Sequence, residues 1–200
     1  MIKKTLMTAI VTLALCAGWA LSQDKGGKGG APGKGAPKAP GMSLTTPDFE
    51  DGGVIPDKFT QAVPMPISPK LVFGNVPMAT VSFALIMHDP DNALNKMPED
   101  VLHWMAFNIP GTAKGLDGGL ATDAKLPDGT VQAKNRGGNP GYMGPGNAAI
   151  NPYHHYTWEL FALDATLPLG PDASRADVLK AMEGHIVGKA ILEGRFKRPN

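Results

Sequence analysis

Residues 102–109 read Leu-His-Trp-Met-Ala-Phe-Asn-Ile, an apolar run that is interrupted by one histidine and one asparagine. Short runs rich in aromatic and branched side chains, bounded by turn residues, are typical of β-strands. Four further runs of this kind, separated by Gly, Pro, Asn and Asp, occupy residues 71–73, 79–87, 156–163 and 186–196. The chain is therefore predicted to be mostly β.

A helix is predicted late in the chain, after the fourth of these runs. Ser174 is followed three residues later by Asp177, which makes an Asp variant of the capping box. Apolar side chains then repeat at helical spacing, and Gly184 ends the pattern: Val178, Leu179 and Met182. The sequence thus predicts one or two helices near the C-terminus.

The composition is that of one ordinary domain with a less ordered addition. The 200 residues are 42% hydrophobic and 18% charged, which excludes collagen-like, coiled-coil and multi-span membrane proteins. They include 25 glycines and 19 prolines, whereas the two together usually make up roughly 12% of a chain. The one cysteine excludes an intramolecular disulfide and a cysteine-based zinc cluster.

Charge is distributed unevenly along the chain. The whole sequence has a formal net charge of +1, but residues 41–200 hold 13 basic and 17 acidic side chains, a net charge of −4. The basic excess therefore lies in the first forty residues. An acidic domain without basic clusters in its sequence lacks the electrostatic footprint of a nucleic-acid-binding protein, so no nucleic-acid partner is expected.

Residues 1–22 have the pattern of a signal peptide. Lys3 and Lys4 form the charged region, and residues 9–17 are an apolar stretch too short to span a bilayer comfortably. The segment Ala20-Leu21-Ser22 presents small residues at the two positions that a signal peptidase recognises, which leaves Gln23 as the predicted mature N-terminus. We therefore expect an exported protein, periplasmic or secreted, without a membrane span in the mature chain.

Cys16 lies inside this segment and follows Leu13-Ala14-Leu15, a partial lipoprotein box. Bulky Leu15 occupies a position where such boxes need a small residue, which argues against a lipid anchor on Cys16. The mature protein would then contain no thiol, as suits an oxidising compartment.

Residues 23–41 are predicted to be a flexible linker. From residue 25 onward they contain only Gly, Lys, Ala and Pro, and such a segment has too little apolar surface to offset the entropy of ordering it. The folded domain is therefore assigned to residues 42–200.

Two histidines stand at the start of predicted strands. Because side chains alternate along a strand, His103 is expected to share a face with Met105 and Phe107, and His154 to share one with Tyr156. Taken alone, a histidine on an apolar strand is more often a hydrogen-bonded core residue than a ligand-binding one.

Four separated motifs occur together in this chain: Asp89-Pro90-Asp91, His103-Trp104-x-x-x-Asn108, Gly141-Tyr142-x-Gly144-Pro145 and His154-x-Tyr156. In order and spacing the chain resembles the phosphatidylethanolamine-binding proteins, including their bacterial Raf-kinase-inhibitor-like branch. The resemblance covers residues 45–196. It implies a large antiparallel sheet packed on a smaller sheet, a C-terminal helix, and a small anion-binding pocket at one end of the strands.

The resemblance also implies which residues form that pocket: Asp89, Asp91, His103, His154 and Tyr156, with Tyr142, Gly144 and Pro145 on its wall. Imidazole N–H groups, a phenol O–H and the backbone of a glycine loop would suit a phosphate or carboxylate. The chain departs from the family pattern at Asn92-Ala93, where Ala-Pro is usual, and at His155, where arginine is usual.

The function implied is that of an exported, non-catalytic protein that binds a small anionic or phosphorylated ligand without a cofactor. Modulation of a partner protein is implied too, since relatives are reputed to act on kinases, although export argues against a cytoplasmic kinase. A hydrolase is an alternative, but the sequence contains no Gly-x-Ser-x-Gly. A metal site is another, if side chains without any tight ligand spacing converge: His88, Asp89, Asp91, His103 and His154.

Overall fold

The computed structural model describes residues 41–93 and 98–199, so the predicted signal peptide, Cys16 and the linker up to residue 40 lie outside the described residues. Within the described part the strands are β1 Ser43–Thr45, β2 Gly53–Val54, β3 Leu71–Gly74, β4 Ser82–Asp89, β5 Val101–Pro110, β6 Gly115–Leu116, β7 Val131–Gln132, β8 His154–Leu163 and β9 Ile186–Phe196. Asp57–Phe59 form a 3₁₀ turn, and Arg175–Met182 form helix α1.

Two sheets make up the fold. The larger has six strands in the order β2-β9-β8-β4-β5-β7, and the smaller has three in the order β1-β3-β6. All neighbouring strands run antiparallel except β2, which pairs in parallel with β9. The predicted fold class, mostly β with a large sheet, a smaller sheet and a late helix, is confirmed.

Apolar side chains cover both faces of the large sheet. One face packs against the small sheet and includes Leu85, Trp104 and Trp158. The other face, which includes Ile86 and Phe107, packs against α1. The side chains of strand β4 point alternately into both of these apolar layers and are buried on both faces, as an almost continuous apolar run predicts.

Helix α1 begins as the sequence predicts. Ser174 is the N-cap, its side chain accepts a hydrogen bond from the backbone N–H of Asp177, and the Asp177 carboxylate accepts one from the Ser174 backbone N–H at 2.9 Å. Val178 and Met182 are the buried residues of the helix. Among residues 41–93 and 98–199 there is no helix of the length and apolar character needed to cross a membrane.

The alternation expected for β5 breaks at His103. Met87 pairs with Trp104 while its neighbour His88 pairs with Leu102, so the register with β4 skips His103 and the strand carries a β-bulge there. Met105 packs on the helix-facing side of the sheet, but the His103 ring lies against Tyr156, on the side of the small sheet. The expectation that His103 shares a face with Met105 and Phe107 was wrong because period-two alternation does not hold across a bulge.

Candidate functional site

A pocket of about 440 Å³ lies at the end of the large sheet where β4 and β9 end and where β5 and β8 begin. Four of the side chains expected to form a site line this pocket: Asp89, His103, His154 and Tyr156. The ends of three neighbouring strands and three connecting loops therefore meet around one cavity. The remaining lining is formed by Gln61, Asn92, Val101, Arg136, Met143, Gly146, Asn147, Ala148 and Asn151.

Asp89 and His154 form a hydrogen-bonded pair at the base of the pocket. His154 Nδ1 lies 2.8 Å from Asp89 Oδ2, and Asp89 is only 2% exposed. The other carboxylate oxygen accepts the backbone N–H of Asp91 at 3.0 Å, which fixes the carboxylate in place. Because a carboxylate accepts hydrogen bonds, Nδ1 of His154 carries the proton and Nε2 is left for a ligand.

His103 is held by a double contact with Met143. The His103 carbonyl accepts the Met143 backbone N–H at 3.0 Å, and His103 Nδ1 donates to the Met143 carbonyl at 2.9 Å. A carbonyl can only accept, so the proton of neutral His103 resides on Nδ1 and its Nε2 is an acceptor. Burial lowers the pKa of His103 below its ordinary value of 6.5, which favours this neutral form.

Tyr156 completes the base of the pocket. Its ring meets the His103 ring edge to face, with 5.1 Å between the centroids and an interplanar angle of 86°. Burial, and secondarily the negative charge of Asp89, raise the pKa of the Tyr156 hydroxyl far above its ordinary value of 10. The hydroxyl therefore stays protonated and can donate a hydrogen bond to an anion.

The glycine-proline loop at residues 141–146 forms one wall, and its polar contacts hold it rigidly. Tyr142 Oη donates to the Phe59 carbonyl at 2.7 Å, and Gln61 Nε2 donates to the Gly144 carbonyl at 2.8 Å. Gly144 fits only because it lacks a side chain, since a Cβ there would lie 2.7 Å from the Phe59 carbonyl oxygen. The structure thus places Tyr142, Gly144 and Pro145 behind the pocket lining, where they support the wall.

Asp91 also lies outside the lining. Its Oδ2 accepts the backbone N–H of His155 at 2.6 Å and lies 2.8 Å from His155 Nδ1. Burial would raise the pKa of Asp91, but the hydrogen bonds and charge of His155 outweigh it and lower the pKa below 3.8. Asp91 and His155 together therefore close the turn after β4 beside the pocket. His88 and His185 are engaged elsewhere, with Asp100 and Asp164 respectively.

Several lining residues were missed by the sequence analysis, and Arg136 is chief among them. Its guanidinium has no carboxylate within 4 Å in the part of the chain that the structure describes. The backbone N–H of Arg136 donates to the Leu102 carbonyl at 2.9 Å, and this hydrogen bond ties the loop to the start of strand β5. Nothing in the sequence signals this contact, because Arg136 and Gln61 come from loops without periodicity.

A metal site is the alternative use of these side chains. Across residues 41–93 and 98–199, no group of three or more His, Cys, Asp or Glu side chains is placed to hold a metal ion. What the pocket offers instead is a set of hydrogen-bonding groups around one unpaired cation. Such a set is chemically suited to a small oxyanion.

The fold and the site define a class: β-proteins in which two sheets pack together and a polar pocket lies at the ends of the strands. A profile of the family described as "Phosphatidylethanolamine-binding protein" matches residues 45–197. The chain belongs to the phosphatidylethanolamine-binding protein family, so the resemblance found in the sequence is confirmed.

Relatives and solved structures agree with this assignment. A UPF0098 protein of Methanothermobacter thermautotrophicus is 43% identical, with 78% of this chain and 99% of that protein covered. A Mycobacterium tuberculosis protein named as a lipoprotein, LppC, is 32% identical, with 81% of this chain and 75% of that protein covered. The crystal structure of E. coli YbcL, described as a member of the mammalian PEBP family, matches with a TM-score of 0.68 and 26% identity over 79% of this chain and 99% of that one.

Proposed function

We propose that this protein is exported and binds a small phosphate-type anion in the pocket without catalysing a reaction on it. The observation that carries the proposal is the convergence of the Asp89–His154 pair, His103 and Tyr156 on one cavity that also borders the unpaired Arg136. No serine, threonine, cysteine or lysine lines the cavity among the described residues, so the Asp89–His154 pair has no nucleophile of these kinds to activate there.

The hydrogen-bonding pattern favours a particular kind of anion. Arg136 and the Tyr156 hydroxyl are donors, whereas neutral His103 offers an acceptor at Nε2. An oxyanion that keeps one proton satisfies both, because its O–H can donate to His103 while its other oxygens accept. Inorganic phosphate retains such a proton near neutral pH, whereas a phosphate monoester, whose second pKa is about 6, retains it in only a minor fraction of molecules, and sulfate retains none.

Export is proposed from the N-terminal pattern of residues 1–22, and the M. tuberculosis relative named as a lipoprotein supports it. A partner protein that responds to the occupied pocket is part of the same proposal. Its basis is the resemblance to a family whose members are reputed to act on partner proteins.

The test is calorimetric titration with inorganic phosphate, phosphoethanolamine and sulfate at pH 7. His154→Ala should weaken phosphate binding by roughly tenfold to a hundredfold, because a charge-assisted hydrogen bond contributes about 1.5–3 kcal/mol. His155→Ala is the matched control, since His155 is adjacent in sequence but bonds to Asp91 outside the lining. Its effect should stay within about twofold.

Sulfate should bind at least tenfold more weakly than phosphate to the unchanged protein. Equal losses in the His154 and His155 variants would contradict the pocket assignment. Equal affinities for sulfate and phosphate would contradict the acceptor role of His103 while leaving the pocket itself in place. Binding of neither phosphate nor phosphoethanolamine would overturn the proposed function.

A further inference from the structure

The twelve basic side chains of the described residues fall into two groups of six. Six have a carboxylate partner within 4 Å: Lys58, Lys70, Lys134, Arg175, Lys180 and Lys189. The other six have no carboxylate partner among the described residues, and four of them lie at the pocket end of the large sheet: Arg136, Arg195, Lys197 and Arg198. The remaining two, Lys114 and Lys125, lie away from the pocket. The fold thus gathers free positive charge at one end of a domain whose net charge is −4.

Two exposed apolar side chains lie among these cations. Tyr153 is 41% exposed, and its ring has the Arg195 guanidinium carbon at 5.6 Å and the Lys197 ammonium at 5.3 Å from its centroid. Ile150 is 94% exposed on the segment between Asn147 and Tyr153, next to Ala148 and Asn151 of the pocket lining. We call Ile150, Tyr153, Arg195, Lys197 and Arg198 the basic rim.

The basic rim is joined firmly to the pocket. The Arg198 backbone N–H donates to the Asn147 carbonyl at 3.0 Å, and Phe196 pairs with His154 across β9 and β8. The two carboxylates beside the pocket are bonded to histidines and to none of the basic-rim cations. Asp89 is buried against His154, and Asp91 is bonded to His155.

We propose that the basic rim docks against an anionic lipid bilayer surface, with Ile150 and Tyr153 entering the headgroup region. Cations of this kind are attracted by anionic lipids, and aromatic rings with a polar tip favour the membrane–water interface. An exposed apolar side chain beside cations can enter the headgroup region while the cations contact anionic headgroups. The inference concerns a surface outside the pocket and goes beyond the function proposed above.

The experiment is co-sedimentation of the predicted mature chain, which starts at Gln23, with vesicles of phosphatidylcholine alone or mixed with phosphatidylglycerol. Arg195→Ser with Lys197→Ser removes two cations of the basic rim. The matched control is Lys114→Ser with Lys125→Ser, which removes two cations that also lack a described carboxylate partner but lie away from the pocket. Both variants have the same net charge and the same N-terminal lysines.

Binding to the mixed vesicles should weaken by about fivefold for each cation of the basic rim removed, so by more than tenfold in the first variant. The control should stay within about twofold, and Ile150→Ser should reduce binding several-fold without a change in charge. His154→Ala should leave vesicle binding unchanged, which separates docking from occupancy of the pocket.

Three results would overturn the proposal. The first is absence of binding to the mixed vesicles, which would assign the basic rim to another kind of partner. The second is an equal loss in the two double variants, which would mean that only net charge matters. The third is a loss in His154→Ala with none in the basic-rim variants, which would place lipid contact in the pocket.

Discussion

Neutral His103 has one ring N–H, and the carbonyl of Met143 accepts it at 2.9 Å. The same residue of the loop donates its backbone N–H to the His103 carbonyl, so the bulged position in β5 is held from two directions. Charging this imidazole requires a proton on Nε2 in a buried setting, and burial is the main reason why its pKa is lowered. One loop residue thus sets both the orientation and the protonation of a pocket side chain.

A pH-dependent loss of stability follows from this lowered pKa. When the pH falls below about 6.5, the unfolded chain takes up a proton on His103 that the folded chain refuses until its lower pKa is reached. The free energy of unfolding should therefore decrease through that window. Urea unfolding between pH 5 and 8 should show a smaller decrease in His103→Gln than in the wild type. Identical pH slopes would show that burial of His103 does not affect its titration.

Tyr142 allows a second test at the same scale. Tyr142→Phe leaves the carbonyl of Phe59 without the donor that now lies 2.7 Å away, and an unsatisfied buried acceptor costs about 1–3 kcal/mol. We expect urea unfolding to show a loss of that size, with phosphate affinity changed by less than about threefold because Tyr142 lies behind the lining. Tyr153→Phe, at an exposed ring, should change stability by less than about 0.5 kcal/mol. Comparable losses in the two variants would contradict the supporting role.

At the scale of the elements, the five apolar runs of the sequence correspond to β3, β4, β5, β8 and β9. The remaining strands have two or three residues, too few to show a period, and they form through tertiary pairing with longer strands. The bulge at His103 could not be predicted from the sequence either, because both faces of β5 carry apolar side chains and the sequence therefore shows no alternation that a bulge would interrupt.

The same difference, between local sequence patterns and contacts formed in the folded chain, explains which site residues could be predicted. Asp89, His154 and Tyr156 lie on strands or strand ends and belong to recognisable motifs, so the sequence located them. Arg136 and Gln61 reach the cavity only because their loops are tied to β5 and to the glycine-proline loop by backbone hydrogen bonds. Contacts of this kind depend on the path of the folded chain, which local sequence patterns do not encode.

Helix α1 provides a prediction for an element remote from the pocket. Ser174→Ala removes the side chain that accepts the backbone N–H of Asp177, and loss of an N-cap of this kind costs about 0.5–2 kcal/mol. Thermal unfolding should report the decrease, while phosphate titration should give an unchanged affinity because α1 covers a face of the large sheet that the pocket does not use. A decrease in affinity would indicate that the helix and the pocket are coupled.

At the scale of the whole molecule, the first buried apolar residue of the described chain is Leu44 on β1, which packs in the core between the two sheets. A chain that starts at Gly41 should therefore unfold at the same urea concentration as the full chain. A chain that starts at Thr46 lacks β1 and Leu44, and should lose at least about 2 kcal/mol. An equal loss in both truncations would show that residues before 41 contribute to the folded domain.

The central position of β4 has a consequence for synthesis of the chain. Its partner β8 follows far along the sequence, since His88 pairs with Thr157. At 5–20 residues per second, a ribosome needs roughly 3–14 s to add the intervening residues. During that interval a segment that is buried on both sides in the finished sheet has only β5 beside it, with its other edge unpaired. We therefore expect β4 to be the segment of the nascent chain that depends most on chaperone binding.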